Sequence, residues 1–483
     1  MQKLVADDAP PRLWVVLLLA LPWVQPWAPG PQSNTVPLLL SWATLAIVPA
    51  LGRWPSAGEL TRGWAIAAVI SSAMGLLQYF GEASKLGGWV HVPAYLGDAL
   101  GNLRQRNQLA TLTSIGAVAV LWWHRQGLST AHAVWMLALI AAGNAATGSR
   151  TGLLQWLLLP ALCLLWQTGT RQRAAPWSWP LLIWALMAYL LAGLALPQAL
   201  ATWSGAEVNS AVARMGELDG CGSRSVLWRN VLYLISQKPW TGWGWGELKY
   251  AHYMTEYPGP RFCDILGHAH NLPLHLAFAF GVPAALVLCA GLLAVMLRAR
   301  PWRVVRPSDP LGWGVLSMVG LHSLLEYPLW YGPFQVATLL AVLLLWPQAV
   351  QSALRRPLVL RAAGWCTLTL SLLIGADYLR LRQVYLPHEQ RIALWQDNPW
   401  AASRRTLFFG QTFLFAEVTS RRVNADNAQA MLQSSLVLLH YSPEPRVIDK
   451  LIESARMAGQ PELAAWNEAR KAAVYGASPR RAD

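Results

Sequence analysis

Charged side chains are scarce in this 483-residue chain: Asp, Glu, Lys and Arg together make up 13% of it, against 54% hydrophobic residues. A soluble globular chain carries about 25% charged residues, so most of this one requires an apolar solvent. Cysteine is also sparse, at five residues. Cys163, Cys289 and Cys366 fall in apolar runs and read as packing residues. Cys221 and Cys263 share one long polar segment, where an oxidising compartment allows a disulfide and two separate thiols are the alternative. No RNA- or DNA-binding motif accompanies the net charge of +14, so a nucleic-acid partner is not expected. A zinc site is set aside as well. His268 and His270 form H-x-H near Cys263 and Asp264, but no fourth ligand follows at a recognised spacing.

What the chain has in abundance is uninterrupted apolar sequence. Charge-poor runs of roughly 17–25 residues mark helical membrane spans. Eleven are present: 12–29, 36–52, 63–81, 107–123, 131–148, 151–169, 177–198, 271–297, 310–325, 333–350 and 358–376. None has a charge at its centre, where one would cost roughly 2.5–3.5 kcal/mol. The first run is followed directly by further spans and lacks a clear small-residue cleavage site, so it reads as a span rather than a signal peptide.

Lys and Arg set the expected orientation. With the N-terminus in the cytoplasm, the inner segments collect Lys3, Arg12, Arg53, Arg62, Arg125, Arg171, Arg173, the arginines from Arg298 to Arg306, and Arg355, Arg356 and Arg361. The short outer loops hold only Lys85, Arg104, Arg106 and Arg150. The inner arginines, facing anionic lipid, account for much of the positive charge.

The expected architecture is an all-α integral membrane protein with about eleven transmembrane helices, in four parts. Residues 1–198 form an N-terminal transmembrane bundle. Residues 199–270 form a large periplasmic loop, and 271–376 form C-terminal transmembrane helices. Residues 377–483 form a soluble helical domain on the periplasmic side. In that tail, 426–441, 445–459 and 461–476 carry apolar residues at helical spacing, broken by Pro and Gly. They suit either a small helical cap or a set of helical hairpins. In the loop, 223–240 places Val226, Leu227, Val231, Leu232 and Leu234 on one broad face, as an interfacial helix would. The GWGWGE stretch after it reads as a Gly/Trp turn.

The outer arginines run against the charge bias. Arg150 lies in TGSRTGLL, Arg224 in CGSRSVLW, and Arg104 and Arg106 in GNLRQRNQLATL. A guanidinium is a fixed charge with five donors and suits a phosphate at a membrane surface; an arginine snorkelling from a helix end is the alternative. His270 could accept a hydroxyl proton, or cap a helix. His268 fits the second role better, and His275 reads as a packing residue. In LHSLLEYPLWYGPF, Glu326 and Tyr327 suit either an aromatic belt or the wall of an outer cavity. Most of the 28 tryptophans are belt material, but Trp240, Trp243 and Trp245 could stack on sugar faces.

HAHNLPLHLAFAFGVPAAL, TGSRTGLL and the long loop between them resemble the Wzy/WaaL O-antigen ligase and polymerase superfamily. GNLRQRNQLATL and LLEYPLWYGPF look like its PglL-type protein glycosylation ligases. The resemblance spans roughly residues 90–350, with the motifs in order. It implies transfer of a glycan from an undecaprenyl-pyrophosphate-linked oligosaccharide at the periplasmic face of the bacterial inner membrane, without a metal, nucleotide sugar or other cofactor. It also implies a Ser or Thr acceptor on a protein such as a type IV pilin. The family's histidine before an asparagine corresponds to His270 and Asn271, and its arginines to Arg150 and Arg224. The donor and acceptor would be bound by His268, Asn271, Arg104, Gln105, Arg106, Asn107, Glu326, Tyr327, Trp243 and Trp245.

Three rival readings remain at this stage. Two share the chemistry: ligation to lipid A–core, and polymerisation onto another lipid-linked glycan. The third, a multi-span transporter, would carry paired interrupted segments and charges within span centres; the sequence has neither.

Overall fold

The computed structural model describes residues 11–168, 177–205 and 220–476. Lys3, Arg171 and Arg173, position 169, and the loop and tail stretches 206–219 and 477–483 lie outside the described residues. Among those described there is helix and loop but no strand. The chain divides into two compact units, Met1–Glu217 with Met296–Leu373, and Leu218–Val295 with Ile374–Asp483.

The first unit contains α1 (Leu13–Val24), α2 (Thr35–Ala50), α3 (Ala57–Tyr79), α4 (Arg106–Arg125), α5 (Thr130–Ala146), α6 (Arg150–Thr168) and α7 (Trp179–Ser204). The second begins with α8 (Arg224–Gln237), α9 (Leu248–Met254) and α10 (Leu272–Phe280), followed by α11 (Val282–Ala299). α12 (Asp309–Ser323), α13 (Gly332–Leu345) and α14 (Pro347–Leu354) return to the first unit, and α15 (Pro357–Arg382) follows. The tail adds α16 (Pro399–Ser403), α17 (Gly410–Ser420), α18 (Ala428–Tyr441), α19 (Pro445–Met457) and α20 (Pro461–Tyr475).

The protein is a multi-pass membrane protein in composition and helix length. Among the described residues four helices, α3, α7, α11 and α15, are long and apolar enough to cross a membrane; α13 with α14 makes a fifth if that pair, bent by 91°, counts as one span. Every other expected run that was not broken is helical too, in α1, α2, α4, α5, α6 and α12. These are shorter, or carry polar residues inward, as α4 does with Gln108, Thr111, Thr113 and Ser114 buried.

Two runs expected as continuous spans are interrupted. The run 333–350 bends at Trp346–Pro347, where proline has no N–H to continue the ladder. The run 271–297 breaks at Gly281, and the Gly/Trp turn causes the break. Trp243 N donates to Phe278 O (2.8 Å) and Gly244 N to Ala279 O (3.1 Å), which removes the carbonyls that the next turn of α10 would use. Val282 N in turn donates to Pro239 O (2.7 Å). Gly281 adopts φ +85°, and a β-carbon there would collide with the Trp240 carbonyl.

In the second unit the apolar face of α8 is not left for an interface. Val226, Leu227, Val231, Leu234 and Ile235 pack with Phe262, Leu266 and Phe278, while Leu232, expected on this face, points outward at 52% exposure. Cys221 and Cys263 are joined by a disulfide, with Cα atoms 5.3 Å apart. Asn230 braces the same segment: its side chain donates to Pro260 O (3.0 Å) and accepts from Phe262 N (2.8 Å).

α18, α19 and α20 pack in succession around Leu432, Leu438, Val447, Ile448 and Leu451, and Tyr253 of α9 is buried in that same core. Polar contacts fix the attachment. Lys249 donates to Tyr441 O (3.1 Å), His440 Nδ1 meets Glu247 Oε2 (2.6 Å), and Tyr253 Oη donates to Asn467 (3.2 Å). Arg470, buried on α20, donates to Tyr253 O (2.6 Å) and to Thr255 O. The tail therefore grips a helix inside the loop that the Cys221–Cys263 disulfide closes.

Candidate functional site

The site residues expected from sequence fall into two sets, one in each unit. In the second unit, Ser223 caps α8 through its side chain, which accepts from Val226 N (3.4 Å), and Arg224 is the first helical residue. One turn further on, Trp228 Nε1 donates to Ala269 O (3.1 Å). Residues four apart share a helix face, so Arg224 lies above the residue that ties α8 to the neighbour of His270.

His270 itself has φ +50°. A non-glycine residue in this region is uncommon and bears strain. The next residue, Asn271, is the N-cap of α10, and its Oδ1 accepts from Leu274 N (3.0 Å). The cap fixes where the helix begins, and the left-handed residue before it turns the chain sharply into that start. His268 and His275 have ring centroids 5.4 Å apart, and His275 is buried on α10, edge-on to Trp245. Trp245 also stacks on Phe280 and remains 55% exposed. Trp243, expected from sequence to stack on a sugar, is built into the loop. Its Nε1 donates to Leu234 O (2.8 Å) and the Lys238 ammonium lies 4.1 Å over its ring, so it holds the loop together.

In the first unit, TGSRTGLL forms the junction from α5 to α6. Gly148 takes φ +56°, Ser149 N donates to Thr147 Oγ1 (3.1 Å), and Ser149 Oγ accepts from Gly152 N (3.1 Å). Ser149 is thus the N-cap and Arg150 the first residue of α6. A β-carbon at Gly152 would stand 2.5 Å from Asn144 Oδ1 and 2.9 Å from Ala110 Cβ, so only glycine lets this turn approach α4 and α5 so closely.

The residues of GNLRQRNQLATL have diverse roles. Gln105 caps α4, accepting from Gln108 N (2.7 Å). The Arg104 guanidinium donates to Pro26 O (2.9 Å) and Ala28 O (3.2 Å), and Arg106 pairs with Asp98 (2.7 Å). Both arginines expected to meet phosphate have partners within the protein. Asn107 Nδ2 donates to Glu326 Oε1 (3.1 Å). Tyr327 stacks on Tyr331, and burial raises its hydroxyl pKa, which keeps it a neutral donor. The sequence reading missed Ser149, whose place before an apolar run was an N-cap signal, and Arg470, which looks like any polar-face residue of an amphipathic helix. Among the described residues no group of three or more His, Cys, Asp or Glu could hold a metal ion. Cys263, near the H-x-H pair in sequence, is in the disulfide.

The second unit carries a glycine-broken helix, a strained histidine before its capped start and an arginine at the capped start of α8, and the first unit carries an arginine at the capped start of α6. Comparison with known proteins points to a class. An O-antigen ligase family model matches residues 135–289, which include Arg150, Arg224 and His270. A protein glycosylation ligase model matches 99–124, and a model described as virulence factor membrane-bound polymerase, C-terminal, matches 311–483. A General O-oligosaccharyltransferase of Acinetobacter baylyi (strain ATCC 33305 / BD413 / ADP1) is 25% identical over 285 residues, 55% of this chain and 46% of that protein. The chain thus spans about half the length of the curated relative it matches. No solved structure matches. Together these matches support a likeness to the Wzy/WaaL O-antigen ligase superfamily, with PglL-like features.

Proposed function

We propose that this protein is an O-oligosaccharyltransferase that moves a glycan en bloc from undecaprenyl pyrophosphate to a Ser or Thr hydroxyl of a periplasmic protein such as a type IV pilin. In this reading it lies in a bacterial inner membrane with about eleven spans, and its long loop and tail are in the periplasm. No metal or other cofactor takes part. The name of the Acinetobacter relative supports the reaction class. The observation that carries the assignment is His270, held at φ +50° directly before a capped helix start and within the O-antigen ligase match. Strain of this kind costs of order 1–3 kcal/mol and persists where the surrounding structure fixes it.

The chemistry follows from the residue types. His270 takes the proton of the acceptor hydroxyl as its oxygen attacks the anomeric carbon. The bond from that carbon to the pyrophosphate oxygen breaks, and the lipid pyrophosphate leaves with the bonding pair. Arg150 and Arg224 stabilise the charge that builds on the phosphate oxygens. Single displacement inverts the anomeric configuration, so a retained configuration would refute it. Trp245 offers a ring face to a sugar.

The test is the intact mass of the host's pilin in cells carrying wild-type protein or His270→Ala. A glycan-sized loss of mass, with the variant still present in the membrane, is expected. A second reading, polymerisation or ligation of lipid-linked glycans, draws on the polymerase description of the 311–483 match. An unchanged pilin mass together with a shortened lipopolysaccharide ladder would replace the first reading with the second.

A further inference from the structure

A directional chain of hydrogen bonds in the first unit ends at the residue before Arg150. α4 and α12 pack against each other, with Asn107 against Glu326 (3.1 Å) and, one turn along each helix, Thr111 Oγ1 against His322 Nδ1 (2.9 Å). The pairing runs antiparallel: Asn107 to Thr111 runs forward along α4 while Glu326, three residues past the end of α12, to His322 runs back into it. α6 joins this seam at two heights. Gln155 donates to Thr111 Oγ1 and to Met318 O, both at 2.9 Å, and Ser149 Oγ lies 2.6 Å from Asn107 Oδ1.

The donor sense at the upper level is fixed by chemistry. The Asn107 amide nitrogen donates to Glu326, so its oxygen is the acceptor, and the Ser149 hydroxyl must donate to it. The lone pairs of Ser149 Oγ then accept the Gly152 N–H. A carboxylate at the far end polarises every bond in such a chain toward itself and makes the serine oxygen a better cap. Ser149 is 2% exposed, so water cannot easily replace these bonds.

We infer that Ser149, Asn107 and Glu326 form a positioning relay that fixes the first turn of α6 and, through it, the direction of Arg150. The relay gives Asn107 and Glu326 a role other than contact with substrate, and it gives Ser149 one for the first time. It also explains why three motifs far apart in sequence occur together, since each supplies one member. The inference rests on the reading of Arg150 as a donor-pyrophosphate ligand.

The probe is undecaprenyl pyrophosphate, titrated against the full-length protein in nanodiscs, with dissociation constant and stoichiometry measured separately. Arg150→Ala should weaken binding. Ser149→Ala should weaken it about tenfold, the upper part of the range for a lost N-cap, at unchanged stoichiometry. Ser149→Thr, which keeps cap and hydroxyl, should restore most of the affinity. In an Arg150→Ala background Ser149→Ala should cost nothing further, because the relay acts through that arginine. A merely structural role would lower the stoichiometry and leave the dissociation constant. Wild-type affinity in Ser149→Ala, or a loss that multiplies with that of Arg150→Ala, overturns the relay. A wild type that does not bind the probe, or an Arg150→Ala that binds as wild type, overturns the donor assignment and the relay with it.

Discussion

Lowering the pH from 7.5 to 5 should loosen the second unit through one residue, His252. The ring is 3% exposed on α9, with Nε2 3.1 Å from Phe262 O and Nδ1 2.8 Å from the Tyr257 hydroxyl. A carbonyl only accepts, so Nε2 carries the proton and Nδ1 accepts from Tyr257. Burial, and then the Arg261 charge, push the His252 pKa down to about 3, with Arg470 adding to the effect. The unfolded chain holds its histidine near the ordinary value of about 6.5, so unfolding takes up a proton below that pH and stability rises with pH. The contribution is complete above about pH 6.5 and is lost as pH falls toward the folded value. At 1.36 kcal/mol per unit, about 2 kcal/mol is lost by pH 5. Hydrogen exchange of the peptide 248–262, corrected for intrinsic rates, reads this locally. Protection should fall roughly thirtyfold in wild type if the segment exchanges by opening of the whole unit, and far less in His252→Gln, which cannot take up the proton. Equal pH dependence in the two proteins would refute the buried neutral imidazole.

Three further outcomes follow from the same unit. Arg470→Met leaves the Tyr253 carbonyl buried without its charged donor and should destabilise the unit by about 1–3 kcal/mol, seen as faster proteolysis of the tail at constant total protein. Cys221→Ser opens a loop of 42 residues, and the chain-entropy account puts the loss at about 4 kcal/mol, with an altered migration on a non-reducing gel. Asn271→Ala removes the cap of α10 and should cost about 1 kcal/mol, with transfer falling more than folded protein does; equal losses would make the cap structural only.

Much of the helical content was legible because apolar sequence long enough to need a bilayer has few other ways to satisfy its backbone. α18, α19 and α20 begin and end within two residues of the expected segments, since Pro and Gly punctuate them. The breaks were less legible. Gly281 and Pro347 stood in view, but whether such a residue interrupts a helix depends on what docks there, and Trp243 and Gly244 come from another segment. Pairings across the chain were not legible at all. Nothing local to His440 points to Glu247, 193 residues away, or to Arg470 as the cap of α9, because each looks like an ordinary polar-face residue. Nothing local to Arg104 or Arg106 pointed to the Pro26 and Ala28 carbonyls or to the Asp98 carboxylate that they meet.

The joint at Gly281 is made of main chain: Trp243 and Gly244 donate into it, and Val282 donates out. Its geometry therefore depends little on the outward side chains of the turn, provided Trp243 is retained and glycine is kept at 242 and 281, where a β-carbon would strike backbone. Trp240 and Trp245, at 78% and 55% exposure, stand on a mount that a designer can leave untouched while replacing them. A library randomised at those two positions would vary the outward surface of the turn at little risk to the fold, which makes it a practical place to retune recognition.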